Sequence, residues 1–274
     1  CLELTGRRRM ISPSMRDTQK VGKMRIKIFG ERNTSTRALT QLLRDNSRSD
    51  FLPGTMKELS PITAKTVSLL QKLGIPDKRR EAIIDRVFEK RHPLEQWKHT
   101  ATHFEVDSSL DGVHFVFAVR DPRSWLIGFF KRPYHILVDK PATLTEFADL
   151  EWQVVARDRV PERAYSPLEL YAFKLQSYLE FMNALERENR SYSVVKFEGF
   201  VTGQRNVFDA LRPYLSSPAD TFAELTKSTK DASKDASYYA DYYAKELWRN
   251  DFPEIDAVTL PDNSTVFQAF GYSL

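Results

Sequence analysis

A single cysteine, Cys1, is all that the chain carries, so an intramolecular disulfide framework and a thiolate metal cluster are both excluded. This fits a reducing compartment, and a cytoplasmic location is the expectation. No apolar run approaches the roughly 18 residues that a membrane-crossing helix needs, and no basic n-region leads into an apolar h-region. A transmembrane segment and a secretory signal are therefore not expected, and the chain reads as soluble. Internal repeats are absent, which argues against solenoids and propellers. Also missing is the lysine that a Walker A loop places directly before its final hydroxyl residue. Where such a loop would sit, Ser35 precedes Thr36 with no lysine nearby, which disfavours an ordinary ATPase or kinase.

What remains is a chain of 274 residues, 41% hydrophobic, long enough to bury one large core, and a single domain is the simpler reading. The formal net charge of +4 favours anionic ligands, although Arg7, Arg8 and Arg9 supply three of those charges in an N-terminal tail. The excess reads equally as a solvated surface or as a polyanion-binding face, and nucleic acid is not the expected partner. Residues 1–23 lack periodicity and read as a flexible basic leader, with one α/β domain over 24–274.

From Met24 the apolar run MRIKIF predicts a strand, passing through GERNTSTR into the helical pattern ALTQLL. Turn residues interrupt the pattern from Ser49 to Pro61. Two segments opened by prolines, PITAKTVSLLQKLG and PDKRREAIIDRVFEKR, then predict a helical hairpin inserted after the first strand and helix, around 55–92. HFVFAV, His114 to Val119, reads as a strand buried on both faces, and SYSVVKF, Ser191 to Phe197, as a third strand. Helical spacing covers 143–158, 167–188, 203–215 and 237–249. Strands separated by long helical stretches imply parallel pairing, hence an α/β class with helices on both faces. Ligands in such folds bind beyond the carboxyl ends of the strands. GERNTSTR and RDPRS, which follow two of these strands, should therefore point into one crevice.

The first of these segments has the chemistry of an anion site. A strand turning sharply into a helix presents unpaired N–H groups and the positive end of the helix dipole. Arg32, Asn33, Thr34, Ser35, Thr36 and Arg37 add two guanidinium groups, an amide and three hydroxyls. Capping by Asn33 or Thr34 explains one polar residue there, but not six in succession.

Gly30 to Leu39 resembles the 5′-phosphosulfate loop of sulfotransferases, most closely the GxRKGGTRAL form of glycan-modifying members. Gly30, Arg32, Thr36, Arg37, Ala38 and Leu39 match; Asn33 stands at the family's lysine position, and Thr34 and Ser35 replace glycines. VFAVRDPRSWLIGFF is similar to the family's 3′-phosphate motif, with Arg120, Asp121 and Pro122 in place and Gly128 where a serine is usual. Lys98-His99 is similar to a K-T-H triplet without its spacer, and VVKFEGF resembles the V-x-Y-E-D-L segment, with Glu198 in place.

The resemblance implies a P-loop-like three-layer α/β/α fold with a central parallel sheet. It also implies transfer of a sulfuryl group from 3′-phosphoadenosine 5′-phosphosulfate to a hydroxyl, the acceptor being a glycan or lipid-linked sugar. Arg32 and the N–H groups of 33–37 would hold the phosphosulfate, with Arg32 or Arg37 substituting for the family's lysine. Arg120 would hold the 3′-phosphate, assisted by Ser124, with Gly128 alongside. Lys98 would sit near the transferring group and His99 would act as base, with Glu31, Glu58 and Glu95 as competitors.

No metal is expected, since sulfate ester carries less charge than phosphate. His99 and His103 have an HxxxH spacing, but Thr100 stands where HExxH has glutamate and no third ligand is evident. Phe129 to His135 reads either as an acceptor groove or as a helix end with core aromatics, and the tyrosines at 238–243 read as packing. Two other classes stay open: a magnesium-dependent kinase or NTPase with a degenerate phosphate loop, and a catalytically lapsed nucleotide- or polyanion-binding protein.

Overall fold

The computed structural model describes residues 24–135, 137–161, 164–227 and 233–273; the expected leader over 1–23 lies outside them. In chain order the chain forms β1 (Arg25–Gly30), α1 (Thr36–Asp45), β2 (Asp50–Phe51), α2 (Met56–Leu59), α3 (Pro61–Lys72), α4 (Asp77–Phe88) and β3 (Val113–Val119). There follow α5 (Pro122–Lys131), α6 (Leu144–Ala148), β4 (Trp152–Gln153), β5 (Ala164–Tyr165), α7 (Pro167–Arg187) and β6 (Tyr192–Lys196). The last elements are α8 (Phe197–Thr202), α9 (Gln204–Leu211), α10 (Ala236–Ala244), α11 (Trp248–Asp251) and α12 (Thr265–Ala269).

Four strands form a parallel sheet in the order β2-β1-β3-β6. Alternation along β1 and β3 sends side chains to two cores, because successive strand residues point to opposite faces. Ile26, Ile28, Val116 and Ala118 pack with Leu39, Leu42 and Leu43 of α1, whereas Phe29, Phe115 and Phe117 pack with Tyr178 and Phe181 of α7. Helices therefore cover both faces, as expected for α/β and compatible with three layers. The register aligns Gly30 with Ala118 and Val119 with Lys196, so β1, β3 and β6 end at nearly one level. GERNTSTR and RDPRS, the segments expected to meet one ligand, follow β1 and β3 at this edge.

The hairpin of α3 and α4 forms within 55–92 and after β1 and α1, with the two-residue strand β2 and the short α2 in the turn-rich segment between. Two expectations are corrected. Residues 143–158 do not make one helix: α6 is five residues long, stopped after its capping box has fixed one turn, and Trp152–Gln153 instead pairs with β5. The second concerns 237–249, where α10 ends at Ala244 and Glu246 takes a left-handed φ of 47° before the separate helix α11.

Candidate functional site

Gly30 ends β1 in a place that admits no side chain. A Cβ there would lie 2.6 Å from the Ala118 carbonyl oxygen and 2.8 Å from Thr34 Oγ1. The following loop turns through left-handed residues Asn33 (φ 65°) and Ser35 (φ 62°) before α1 starts at Thr36. Ser35 makes no side-chain cap and the first turn of α1 holds no acidic residue, so its orphan N–H groups and dipole stay available. Asn33, Ser35, Thr36 and Arg37 line a cavity of about 730 Å³, within the range of small-molecule sites. Thr34 does not line it: its hydroxyl donates to the Glu31 carbonyl at 2.6 Å and closes the turn from inside.

Arg120 enters from the turn after β3. Its Nε donates to Ser124 Oγ (2.8 Å), one terminal nitrogen to the Asn33 carbonyl (2.9 Å) and the other to Tyr243 OH (2.7 Å). The guanidinium lies over the Phe197 ring at 4.1 Å and near that of Tyr243 at 5.0 Å. Its main chain is pinned by Tyr171 OH, which accepts from the Arg120 N–H and donates to the Arg120 carbonyl, both at 2.8 Å. Ser124 is buried behind Arg120 and does not reach the cavity, so its role is to hold the arginine. Gly128 explains itself by contact: a Cβ there would lie 2.9 Å from the Arg120 guanidinium. Serine at this position and the observed arginine pose are incompatible without a shift.

The two loops meet. Besides the Arg120 bond to Asn33, Trp125 Nε1 donates to the Arg32 carbonyl at 2.7 Å. Asp121 caps α5 through the Ser124 N–H (2.8 Å), and Glu198 accepts the Asp121 N–H (3.0 Å). Burial raises the pKa of both carboxyls.

Arg32 behaves otherwise. It borders the cavity, yet its terminal nitrogens donate to Glu31 Oε1 (2.7 Å) and to the Asp158 carboxylate (3.3 and 3.4 Å). Lys174 from α7 pairs with the same two carboxylates and donates to the His99 carbonyl at 2.8 Å. Burial alone would raise Glu31, but Lys174 and Arg32 hold its carboxyl below the usual range.

Lys98 and His99 both line the cavity. His99 Nδ1 lies 2.5 Å from the Gly30 carbonyl, and because a carbonyl only accepts, Nδ1 carries the proton and Nε2 is left as acceptor. Burial, with the charges of Lys98 and Arg32, pushes His99 well below its ordinary pKa, so the ring is neutral near pH 7. Burial, with Arg37 and Arg44 nearby, also lowers Lys98. Of the competing carboxylates, Glu31 is in the ion cluster, Glu58 caps α2 and pairs with Arg44, and Glu95 pairs with Arg91; none lines the cavity. The His99–His103 segment is not helical, and His103 faces Glu180 instead. Among the described residues no cluster of three His, Cys, Asp or Glu could hold a metal.

Further residues line the cavity beyond those the sequence assigns to it. Tyr238, Tyr239, Tyr242 and Tyr243 line the cavity, so the α10 tyrosines are a wall of the site rather than packing alone. Their i, i+4 recurrence marks one face of a helix but does not tell a core from a cavity. The Phe129 to His135 stretch divides: Phe129 is core, whereas Lys131, Arg132, Tyr134 and His135 face the cavity. His135, left-handed at φ 62°, lies with Nδ1 3.1 Å from Glu81 and from Arg157. Burial would raise Glu81, but the His135 hydrogen bond and charge, then Arg157, hold it at about 2. His99 and His135 both meet Trp97 edge-on, at 5.2 and 5.4 Å, while Arg32 and Arg157 stack on its ring at 4.7 and 4.2 Å. Asp251 is the one carboxylate among the described residues lining this cavity, against eight lysines and arginines, so it should attract polyanionic ligands. No protein-family model and no curated protein matches this chain.

Proposed function

We propose that this chain is a sulfotransferase with a P-loop-like fold, moving a sulfuryl group from 3′-phosphoadenosine 5′-phosphosulfate to a hydroxyl of a carbohydrate acceptor. The observation that carries the reading is the junction of the two loops, with Arg120 bonded to the Asn33 carbonyl at 2.9 Å at the carboxyl ends of neighbouring parallel strands. Two motifs that resemble the halves of one donor site, 87 residues apart, form one wall.

In this reading the uncapped start of α1, with Ser35, Thr36 and Arg37, takes the 5′-phosphosulfate. Arg120 takes the 3′-phosphate, held in pose by Ser124 and given room by Gly128. Lys98 offsets charge that develops on the leaving oxygen. His99 Nε2 accepts the acceptor's hydroxyl proton as that oxygen bonds to sulfur. The bond from sulfur to the 5′-phosphate oxygen breaks, and the leaving oxygen keeps its electron pair. A magnesium-dependent kinase would need cavity carboxylates for the ion. Asp251 instead accepts the Tyr242 hydroxyl at 2.6 Å.

The test is calorimetric titration with 3′-phosphoadenosine 5′-phosphate in EDTA, against ATP with magnesium and AMP. Metal-independent preference for the bisphosphate is expected. Preference for ATP with magnesium would move the assignment to the kinase class, and binding without transfer to a broad acceptor panel would leave a nucleotide-binding protein. With turnover in hand, His99→Ala is expected to lower it by roughly 10² to 10⁴ while nucleotide affinity is retained.

A further inference from the structure

Beneath the cavity four buried charges form a closed ring. Glu31 and Arg32 come from the loop after β1, Asp158 from the short turn before β5, and Lys174 from the middle of α7. Each cation touches both carboxylates: Arg32 donates to Glu31 at 2.7 Å and to Asp158 at 3.3 Å, and Lys174 donates to Glu31 and, at 2.8 Å, to Asp158. The third Lys174 donor goes to the His99 carbonyl at 2.8 Å, so all three ammonium protons have acceptors. Asp158 adds a tie of its own, its carbonyl accepting the Ala101 N–H at 2.8 Å.

Packing α7 against the sheet does not require this. Well-packed apolar side chains of similar volume do as well or better than buried ion pairs, and an incomplete set strands a buried charge. The ring instead joins the phosphate-loop segment to the segment that carries His99. We infer that Lys174 is a positioning residue for the site: by neutralising Glu31 and Asp158 together with Arg32 while gripping the His99 carbonyl, it fixes the loop after β1 and the His99 segment in one arrangement. The functional consequence rests on the sulfuryl-transfer reading, but the clamp itself is testable without nucleotide. Arg32, its charge spent inside the ring, is then a member of the clamp rather than a free ligand for phosphosulfate.

Lys174→Met leaves one guanidinium between two buried carboxylates. Lys174→Met/Asp158→Asn restores one cation to one carboxylate. Amide hydrogen exchange on the unliganded protein, read at residues 31–36 and 98–101, is expected to quicken roughly tenfold or more in the single variant and to return most of the way in the double. The single variant should also regain protection as pH falls from 8 to 5, because protonating one carboxylate rebalances the ring, a dependence that simple loss of packing would not produce. If the single variant fails to fold and the double folds, charge balance is upheld. Failure of both to fold, unchanged exchange in the single variant, or no rescue in a folded double overturns the clamp. These readouts stand even if wild-type protein binds no bisphosphate nucleotide, which would count only against the proposed reaction. If it does bind, affinity for 3′-phosphoadenosine 5′-phosphate should follow the same order of loss and rescue.

Discussion

Arg32 and Arg120 begin as equals in the sequence, each expected to hold one end of a bisphosphate nucleotide, and they are almost equally buried, at 5% and 4% exposure. Their partners separate them. Arg32 donates to two carboxylates, whereas Arg120 donates to a hydroxyl, a carbonyl and a phenol and is flanked by two aromatic rings. Neutral acceptors orient a guanidinium without cancelling its charge, and paired carboxylates cancel it. Burial says where a cation is; the charge of its partners says whether it can still bind an anion.

The sharpest way to break that comparison is to remove each guanidinium and see what is lost. Arg32→Met should act chiefly on stability, by about 3–5 kcal/mol, because it strands a buried carboxylate. Urea unfolding at pH 7 measures it. A change under about 1 kcal/mol accompanied by lost nucleotide binding would instead make Arg32 a ligand for the nucleotide, its pairing in the ring incidental.

Arg120→Met should act on ligand affinity instead. Loss of its charged contacts is worth about 1.5–3 kcal/mol, roughly a 10- to 100-fold rise in Kd for a 3′-phosphorylated nucleotide and much less for AMP. Calorimetry on the two nucleotides gives the answer. Equal loss for both would mean that Arg120 does not meet the 3′ end.

This division was only half legible in the sequence. β1, β3, β6, α3, α4 and α7 were readable because each has a run or period long enough to be distinctive. β2 has two residues, and the spacing of Leu144, Phe147 and Trp152 came from separate elements meeting one core. The convergence of the two loops followed from topology alone, since parallel strands put their carboxyl ends at one edge of the sheet. Glu31 beside Arg32 was a local hint of pairing. The other partners, Asp158 and Lys174, lie 126 and 143 residues from their contacts in the loop, and no local pattern announces them. The tyrosines of α10 serve both as packing and as cavity wall, and the sequence shows only the first, because a helix stripe looks the same whether it faces a core or a cavity.

pH separates the two regions next, with opposite signs and smaller effects. Glu31 is held below its usual value of 4.5, so the stability it contributes is present above that pH and is lost as pH falls through its folded value. Asp121 and Glu198, beside Arg120, are raised above 3.8 and 4.5 by burial. Their contribution is therefore present below those values and is lost as pH rises through the folded ones. Denaturation followed from pH 3 to 7 should show a shallower acid-side rise in Glu31→Gln and a steeper one in Glu198→Gln. The same sign of change in both variants would contradict the contrast between the two surroundings.

The finest probe is Gly128, because it touches Arg120 and leaves the Arg32 ring alone. An alanine Cβ would stand 2.9 Å from the Arg120 guanidinium, whose far end is flexible enough to move aside. Driving the side chain off its preferred rotamer costs about 0.5–1.5 kcal/mol, so Gly128→Ala should weaken a 3′-phosphorylated nucleotide by roughly two- to tenfold. Amide exchange in residues 98–101 should hardly change, since none of the four ring charges is touched. Affinity unchanged by the added methyl would mean that Arg120 has slack in its pose, and that its three hydrogen bonds do not orient it for a ligand.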